Sequence, residues 1–168
     1  LRQAAAFEQM VTSRERTINL RDSLLDANGA AKEMAEIVGA KDHEVVVMNG
    51  LTANLHLMMV SFYRPTDKRF KVVIEKDAFP SDRYAVESQL RFHGYDPKEA
   101  LIQWAPPSGE ELCNFADLED LMTAQGHQVA LVLLGNTNYY TGQAYPIDRI
   151  TNLGHQHGAL VGFDLAHG

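Results

Sequence analysis

Short apolar runs separated by segments of helical period constrain this chain more than any other feature of its sequence. Residues 129–134 and 159–163 are near-continuous stretches of apolar and small residues, the pattern of strands covered by helices on both faces. Residues 44–48, centred on Val45-Val46-Val47, and residues 71–75 and 101–104 read as three further strands. Between them lie helical patterns. From about Asp22, Leu24, Leu25, Ala31, Met34, Ala35 and Val38 recur at helical spacing, with Gly39 as the stop. Thr52 is placed as the N-cap of a helix through Phe62. Pro80 opens a helix that Gly94 closes, Asn114 and Asp117 form a capping pair for a helix to about Ala124, and Pro146 starts a last helix ending at Gly158. A further short helix is expected over residues 3–10. Strands alternating with helices in this way predict an α/β fold, a largely parallel sheet with helices on both faces and right-handed crossovers.

Charge and cysteine content narrow the partners. Fifteen Lys and Arg against 22 Asp and Glu give a net charge of −7, which argues against nucleic acid or an anionic membrane and favours a small-molecule substrate. A single cysteine, Cys113, excludes an internal disulfide framework and suits a reducing, cytoplasmic setting. Leu112 and Asn114 beside it offer no activating cation. His155 and His157 are two apart and face different ways on a helix, so no metal site is expected. The chain starts at Leu1 without a methionine and stops just after a buried strand, and both ends read as cuts in a longer protein.

Four expected strand ends deliver small or polar groups to one edge of the sheet: residues 49–52, 79–82, 135–140 and 164–167. In open α/β sheets that edge is where ligands bind. At the first end, Gly50, the free N–H groups of the helix start and the Thr52 hydroxyl suit a phosphate, although the same residues serve equally as a plain helix cap. Phe79 offers a flat face to a ligand ring or belongs to the core, and Ser81 and Asp82 line the site or cap the next helix. A phosphate cradle, an aromatic face and a buried carboxylate are together what pyridoxal phosphate requires, with Asp164 beside the pyridine nitrogen. No dinucleotide fingerprint or P-loop is present.

Longer motifs add a resemblance. Residues 48–57 (MNGLTANLHL), 61–66 (SFYRPT), 78–82 (AFPSD), 87–89 (ESQ), 138–143 (NYYTGQ) and 162–167 (GFDLAH) resemble the kynureninases, in order, from about Leu20 onward. The resemblance implies a fold type I pyridoxal-phosphate enzyme, a homodimer, and hydrolysis of L-kynurenine to anthranilate and L-alanine in tryptophan degradation. Carried over by position, Leu51 and Thr52 bind the phosphate, Phe79 stacks on the pyridine ring, Ser81 and Asp82 belong to the same shell, Asp164 pairs with the pyridine nitrogen, and His167 stands beside it. Gly135 occupies a place where the family often has a small hydroxyl residue, so only its backbone is on offer there. Residues 21–168 are then part of a pyridoxal-phosphate-binding large domain, preceded by an N-terminal segment at 1–20.

This chemistry needs a lysine for the Schiff base. Lys32, Lys41, Lys68, Lys71, Lys76 and Lys98 do not match the family's position, which falls beyond Gly168. No catalytic residue is therefore assigned within the chain, and the chain by itself is expected to be inactive. Two alternatives stay open: another enzyme of the same fold, cysteine desulfurase-like or aminotransferase-like, and a non-catalytic remnant that keeps the cofactor shell.

Overall fold

The structure, a computed structural model, describes residues 27–167. The chain divides into two compact units, Leu1–Asn49 and Gly50–Gly168. In the first, helix α1 (Ala27–Val38) buries Ala31 and Ala35, four apart on one stripe. Gly39, at φ +70°, turns the chain out of it. The helix expected at 3–10, and residues 22–26 of the helix expected from about Asp22, lie outside the described residues.

The strand expected over residues 44–48 does not form. A single 3₁₀ turn, Asp42–Glu44, is followed by extended but unpaired backbone, with Val46 and Val47 more than half exposed. β-branched residues favour extended backbone, but a strand is completed only by a neighbour's hydrogen bonds. Among the described residues no strand supplies them.

The second unit carries helix α2 (Leu51–Phe62), strand β1 (Lys71–Glu75), helix α3 (Pro80–Phe92), the single helical turn α4 (Pro97–Ala100), strand β2 (Leu101–Trp104), helix α5 (Phe115–Gln125), strand β3 (Val129–Gly135), helix α6 (Ile147–Gln156) and strand β4 (Leu160–Asp164). Thr52 is not the cap of α2. Gly50, extended at φ −66° and ψ 159°, takes that place and its carbonyl accepts the Asn54 N–H, so Thr52 falls in the first turn. Of the other signals, Pro80 is the first residue of α3, Gly94 leaves that helix at φ +84°, and the Asn114 side chain accepts the Ala116 N–H at 3.1 Å, while Pro146 caps α6 and Ile147 begins it.

All four strands are parallel, in the order β2-β1-β3-β4. Alternation along the strands sorts the core into two layers. Val72 and Ile74 of β1 and Leu131 and Leu133 of β3 pack with Leu55 and Met59 of α2 and Ala85, Val86 and Leu90 of α3. Val73, Val132 and Leu134 point the other way, to Trp104, Leu118 and Met122 of α5, and Ile150 of α6. Helices thus cover both faces, and the strands' carboxyl ends share one edge.

Candidate functional site at the carboxyl edge of the sheet

The chain leaves β1 for β2 on one side and later leaves β3 for β4 on the other, so neighbours β1 and β3 flank a switch point where a crevice opens. Pairing of β1 with β3 runs from Lys71↔Val129 to Val73↔Val132. Beyond it, the Glu75 side chain bridges the gap, and both its oxygens accept the Gly135 N–H, at 3.2 and 3.1 Å. Glu75 is 5% exposed. Burial pushes its carboxyl above the usual range, the N–H groups of Glu75 and Gly135 pull it back, and the nearby charge of Asp164 adds to the rise.

Two more carboxyl groups face the same edge. Asp82 stands in the first turn of α3, and its side chain is hydrogen-bonded to that of Asp164 at the end of β4. Burial, then the hydrogen bond and charge of Asp164, push the Asp82 carboxyl up to about 7, against the opposing pull of the Ser81 hydroxyl, which donates to Oδ1 at 3.1 Å. Grouping of carboxyls in one desolvated site thus favours the protonated form of Asp82. Asp164 is fixed from its own side by the Ala166 N–H at 2.7 Å.

An aromatic wall stands beside the carboxyls. Phe79, the residue that caps α3, is 44% exposed and meets Tyr139 edge-on at 5.2 Å between ring centroids; His167 lies 6.3 Å from Phe79 and 6.2 Å from Tyr139. Tyr139 is held by the loop after β3. There the buried Asn138 accepts the N–H groups of Tyr140 and Thr141 at 3.0 and 2.9 Å, while Gln143 bonds both the N–H and the carbonyl of Cys113. Burial pushes the Cys113 thiol up, which makes it a poor nucleophile.

The residues singled out in the sequence are brought together unequally. Phe79, Ser81, Asp82, Asp164 and His167 converge on one edge. Leu51, at the start of α2, lines the same groove as Asp164, a cavity of about 420 Å³ whose walls, apart from Asn54 and Asp164, are apolar. Thr52 is exposed in the first turn of α2. The Gly135 N–H is directed to Glu75 rather than outward, and a Cβ there would lie 3.1 Å from Glu75 Oε1, so the absence of a side chain suits the close approach. Lys76, the nearest lysine in sequence to the site, is exposed, and the Lys71 amine is held by Gln125 at 2.9 Å. Sequence reasoning missed Glu75 and, although it placed residues 135–140 at this edge, gave Tyr139 no role. The only signals were an acidic residue closing an apolar strand and an aromatic residue after a strand, both common on ordinary surfaces. Among the described residues no group of side chains is arranged to hold a metal ion, and no helix is long and apolar enough to cross a membrane.

A parallel α/β sheet with acidic and aromatic groups gathered at its switch point defines the class: an α/β protein with a ligand crevice at the strands' carboxyl ends. The chain belongs to the aminotransferase class-V family, whose family model matches residues 13–168. It is similar to the kynureninase of Myxococcus xanthus, 58% identical over 80% of this chain and 32% of that protein, and to the kynureninase of Rattus norvegicus, 46% identical over 80% of this chain and 29% of that protein. The chain spans about a third of the length of these curated relatives. Among solved structures it shares its fold with a C-DES mutant that carries glycine covalently linked to the PLP cofactor, at a TM-score of 0.73 and 15% identity over 98% of this chain and 41% of that one. It also shares the fold of a cysteine desulfurase from Thermococcus onnurineus, at a TM-score of 0.65 and 18% identity over 83% of this chain and 33% of that one.

Proposed function

We propose that residues 21–168 are part of the pyridoxal-phosphate-binding large domain of a kynureninase, which cleaves L-kynurenine to anthranilate and L-alanine. The observation that carries this reading is the Asp82–Asp164 pair at the switch point. Two neighbouring carboxyls in a half-buried crevice, where burial and mutual charge push the Asp82 carboxyl up, are complementary to a protonated ring nitrogen, which would supply a positive N–H to the pair. The open face of Phe79 beside that pair suits a flat ring, and the first turn of α2, with Leu51 and Thr52, offers N–H groups to a phosphate. The identities of 58% and 46% to kynureninases support the same assignment.

When bound, pyridoxal phosphate supplies an electron sink for carbanion chemistry. The residues of this chain hold and orient it. Asp164 would pair with the ring nitrogen, and Asp82, whose carboxyl is pushed up by burial and by Asp164, would support it from α3. Phe79 excludes water from one side of the ring, Ser81 fixes the Asp82 carboxyl, and His167 closes the edge next to Phe79. Gly135 contributes the close approach of β3 to Glu75. The protein at its natural length is further assigned as a cytoplasmic homodimer with a small-molecule substrate, taking part in tryptophan breakdown and in the supply of NAD precursors. It needs neither nucleic acid nor membrane; the net charge of −7 supports this.

The full-length protein is expected to release anthranilate from L-kynurenine and to bind pyridoxal phosphate with visible absorbance that borohydride abolishes. Asp164→Asn is expected to lower kcat/KM by about 10²-fold or more, the order seen when a preorganised charge partner is removed. Turnover of cysteine or of an amino acid and keto acid pair without any anthranilate release would replace this reading with another enzyme of the same fold.

A further inference from the structure

Between β3 and α6 the chain turns back on itself beside the site. Thr137 and Ala144 face each other across this turn in an antiparallel bridge, the Asn138 N–H donates to the Gln143 carbonyl at 2.9 Å, and the Tyr145 N–H donates to the Asn136 carbonyl at 2.8 Å. At the tip, the Asn138 side chain accepts the N–H groups of Tyr140 and Thr141. On the flank, the Gln143 carboxamide accepts the Cys113 N–H at 2.9 Å and donates to the Cys113 carbonyl at 2.7 Å, which fastens the turn to the loop after β2. Burial of the tip does not account for so much order. Tyr139 is 43% exposed and belongs to neither layer of the core. What the clamped turn fixes in space is the Tyr139 ring.

Phe79 needs such a neighbour. Its backbone is pinned, because its carbonyl accepts the N–H groups of Asp82 and Arg83 at the start of α3. Its ring is not held by the core: Phe79 lies outside both core layers, and the second side-chain torsion of a phenylalanine has a broad minimum. Tyr139 meets that ring at 75°, with 5.2 Å between centroids, the edge-to-face arrangement that the ring quadrupoles favour. His167 is farther away, at 6.3 Å, and tilted by 37°. Stacking on a flat ligand needs near-parallel planes, so whatever sets the plane of Phe79 sets how well it stacks. We propose that Tyr139 is a positioning residue, held by the Gln143 clamp, that sets the plane in which Phe79 meets a flat ring. This rests on the cofactor reading above. Tyr139 makes these contacts with its ring, so phenylalanine serves in its place and leucine does not.

The test uses the full-length protein, cofactor-free and loaded, as wild type, Tyr139→Leu, Tyr139→Phe, Phe79→Leu and the double variant Phe79→Leu with Tyr139→Leu. In Tyr139→Leu the dissociation constant of pyridoxal phosphate is expected to rise roughly three- to tenfold, and the visible circular dichroism per bound cofactor to change, while Tyr139→Phe matches wild type in both. Because Tyr139 acts through Phe79, Tyr139→Leu is expected to weaken binding no further once Phe79 is leucine. Unchanged binding in Tyr139→Leu, an equal loss in Tyr139→Phe, or effects that add in the double variant overturn the proposal. Should Tyr139→Leu fail to fold, Gln143→Ala, which frees the turn from Cys113, replaces it alone and with Phe79→Leu; unchanged binding or additive effects there overturn the proposal equally. In the cofactor-free protein, NMR of labelled phenylalanine reads the Phe79 ring, whose ring-current shift from Tyr139 is expected to vanish in Tyr139→Leu and to persist in Tyr139→Phe. A wild-type protein that takes up no pyridoxal phosphate overturns the cofactor reading instead, and the NMR comparison still decides whether Tyr139 sets the Phe79 ring.

Discussion

The face of the sheet under α5 and α6 and the carboxyl edge of the same strands use opposite physics a few residues apart. On the face, Trp104, Leu118, Met122, Leu134 and Ile150 are each at most 2% exposed, and Gly154 of α6 sits so close to β4 that a Cβ would collide with Val161 Cγ2. At the edge, the same strands end in Glu75, Gly135 and Asp164, where buried space is given to carboxyls that repel one another. Close packing of apolar groups lowers the free energy of the fold, whereas grouped carboxyls raise it until something positive arrives. The difference teaches where binding energy is stored: in the region the fold leaves unfavourable.

This contrast can be broken by substitution. The largest effect on stability is expected at the packed face, where Trp104→Ala should cost about 3–5 kcal/mol in chemical denaturation of the full-length protein, through lost transfer energy and the cavity left behind. Gly154→Ala should follow with about 1–3 kcal/mol, because helix backbone and strand must separate to admit one methyl group. Comparable losses from isosteric changes at the edge would erase the distinction.

The edge should behave in the opposite sense. The Asp82 carboxyl stands at about 7 in the folded chain, above its ordinary value of 3.8, so the folded state binds the proton more tightly than the unfolded one. The stability it contributes is fully present below about pH 4 and is lost as pH rises through about 7. Asp82→Asn is therefore expected to flatten the dependence of the cofactor-free protein's thermal midpoint on pH between about 4 and 8, and to be the more stable form at pH 8. A wild-type midpoint that rises across this window would reverse the assignment. The smallest effect is expected at Tyr140, 80% exposed on the loop after β3, where Tyr140→Ala should stay within about 0.5 kcal/mol of wild type in the same denaturation experiment. A larger loss would show that this rim is covered in the full-length protein.

Much of the frame was legible in residue order. The apolar runs at β1 and β3 announce strands because residues buried on both faces leave little room for polar side chains, whereas the run at β4 carries the same signal although that strand, outermost in the described sheet, is only partly buried. Pro80, Gly94 and Asn114 mark helix ends through backbone constraints that act locally. The run at 45–47 carried the same local signal and failed, since pairing is not a local property. The cap expected at Thr52 lies two residues earlier because Gly50 adopts the extended capping conformation just as readily.

What the sequence by itself determined is the identity of the chemistry-bearing groups and their position after strands: Phe79, Ser81, Asp82, Asp164 and His167 follow runs that end at one edge. What only the tertiary structure decided is which of them meet. The strand order β2-β1-β3-β4 puts β1 beside β3, parts them beyond Val73, and so gives Glu75 the Gly135 N–H and Asp82 the Asp164 carboxyl. Neither contact follows from local preference. Both join residues 60 or more positions apart, and their energies depend on burial that exists only once the sheet has formed.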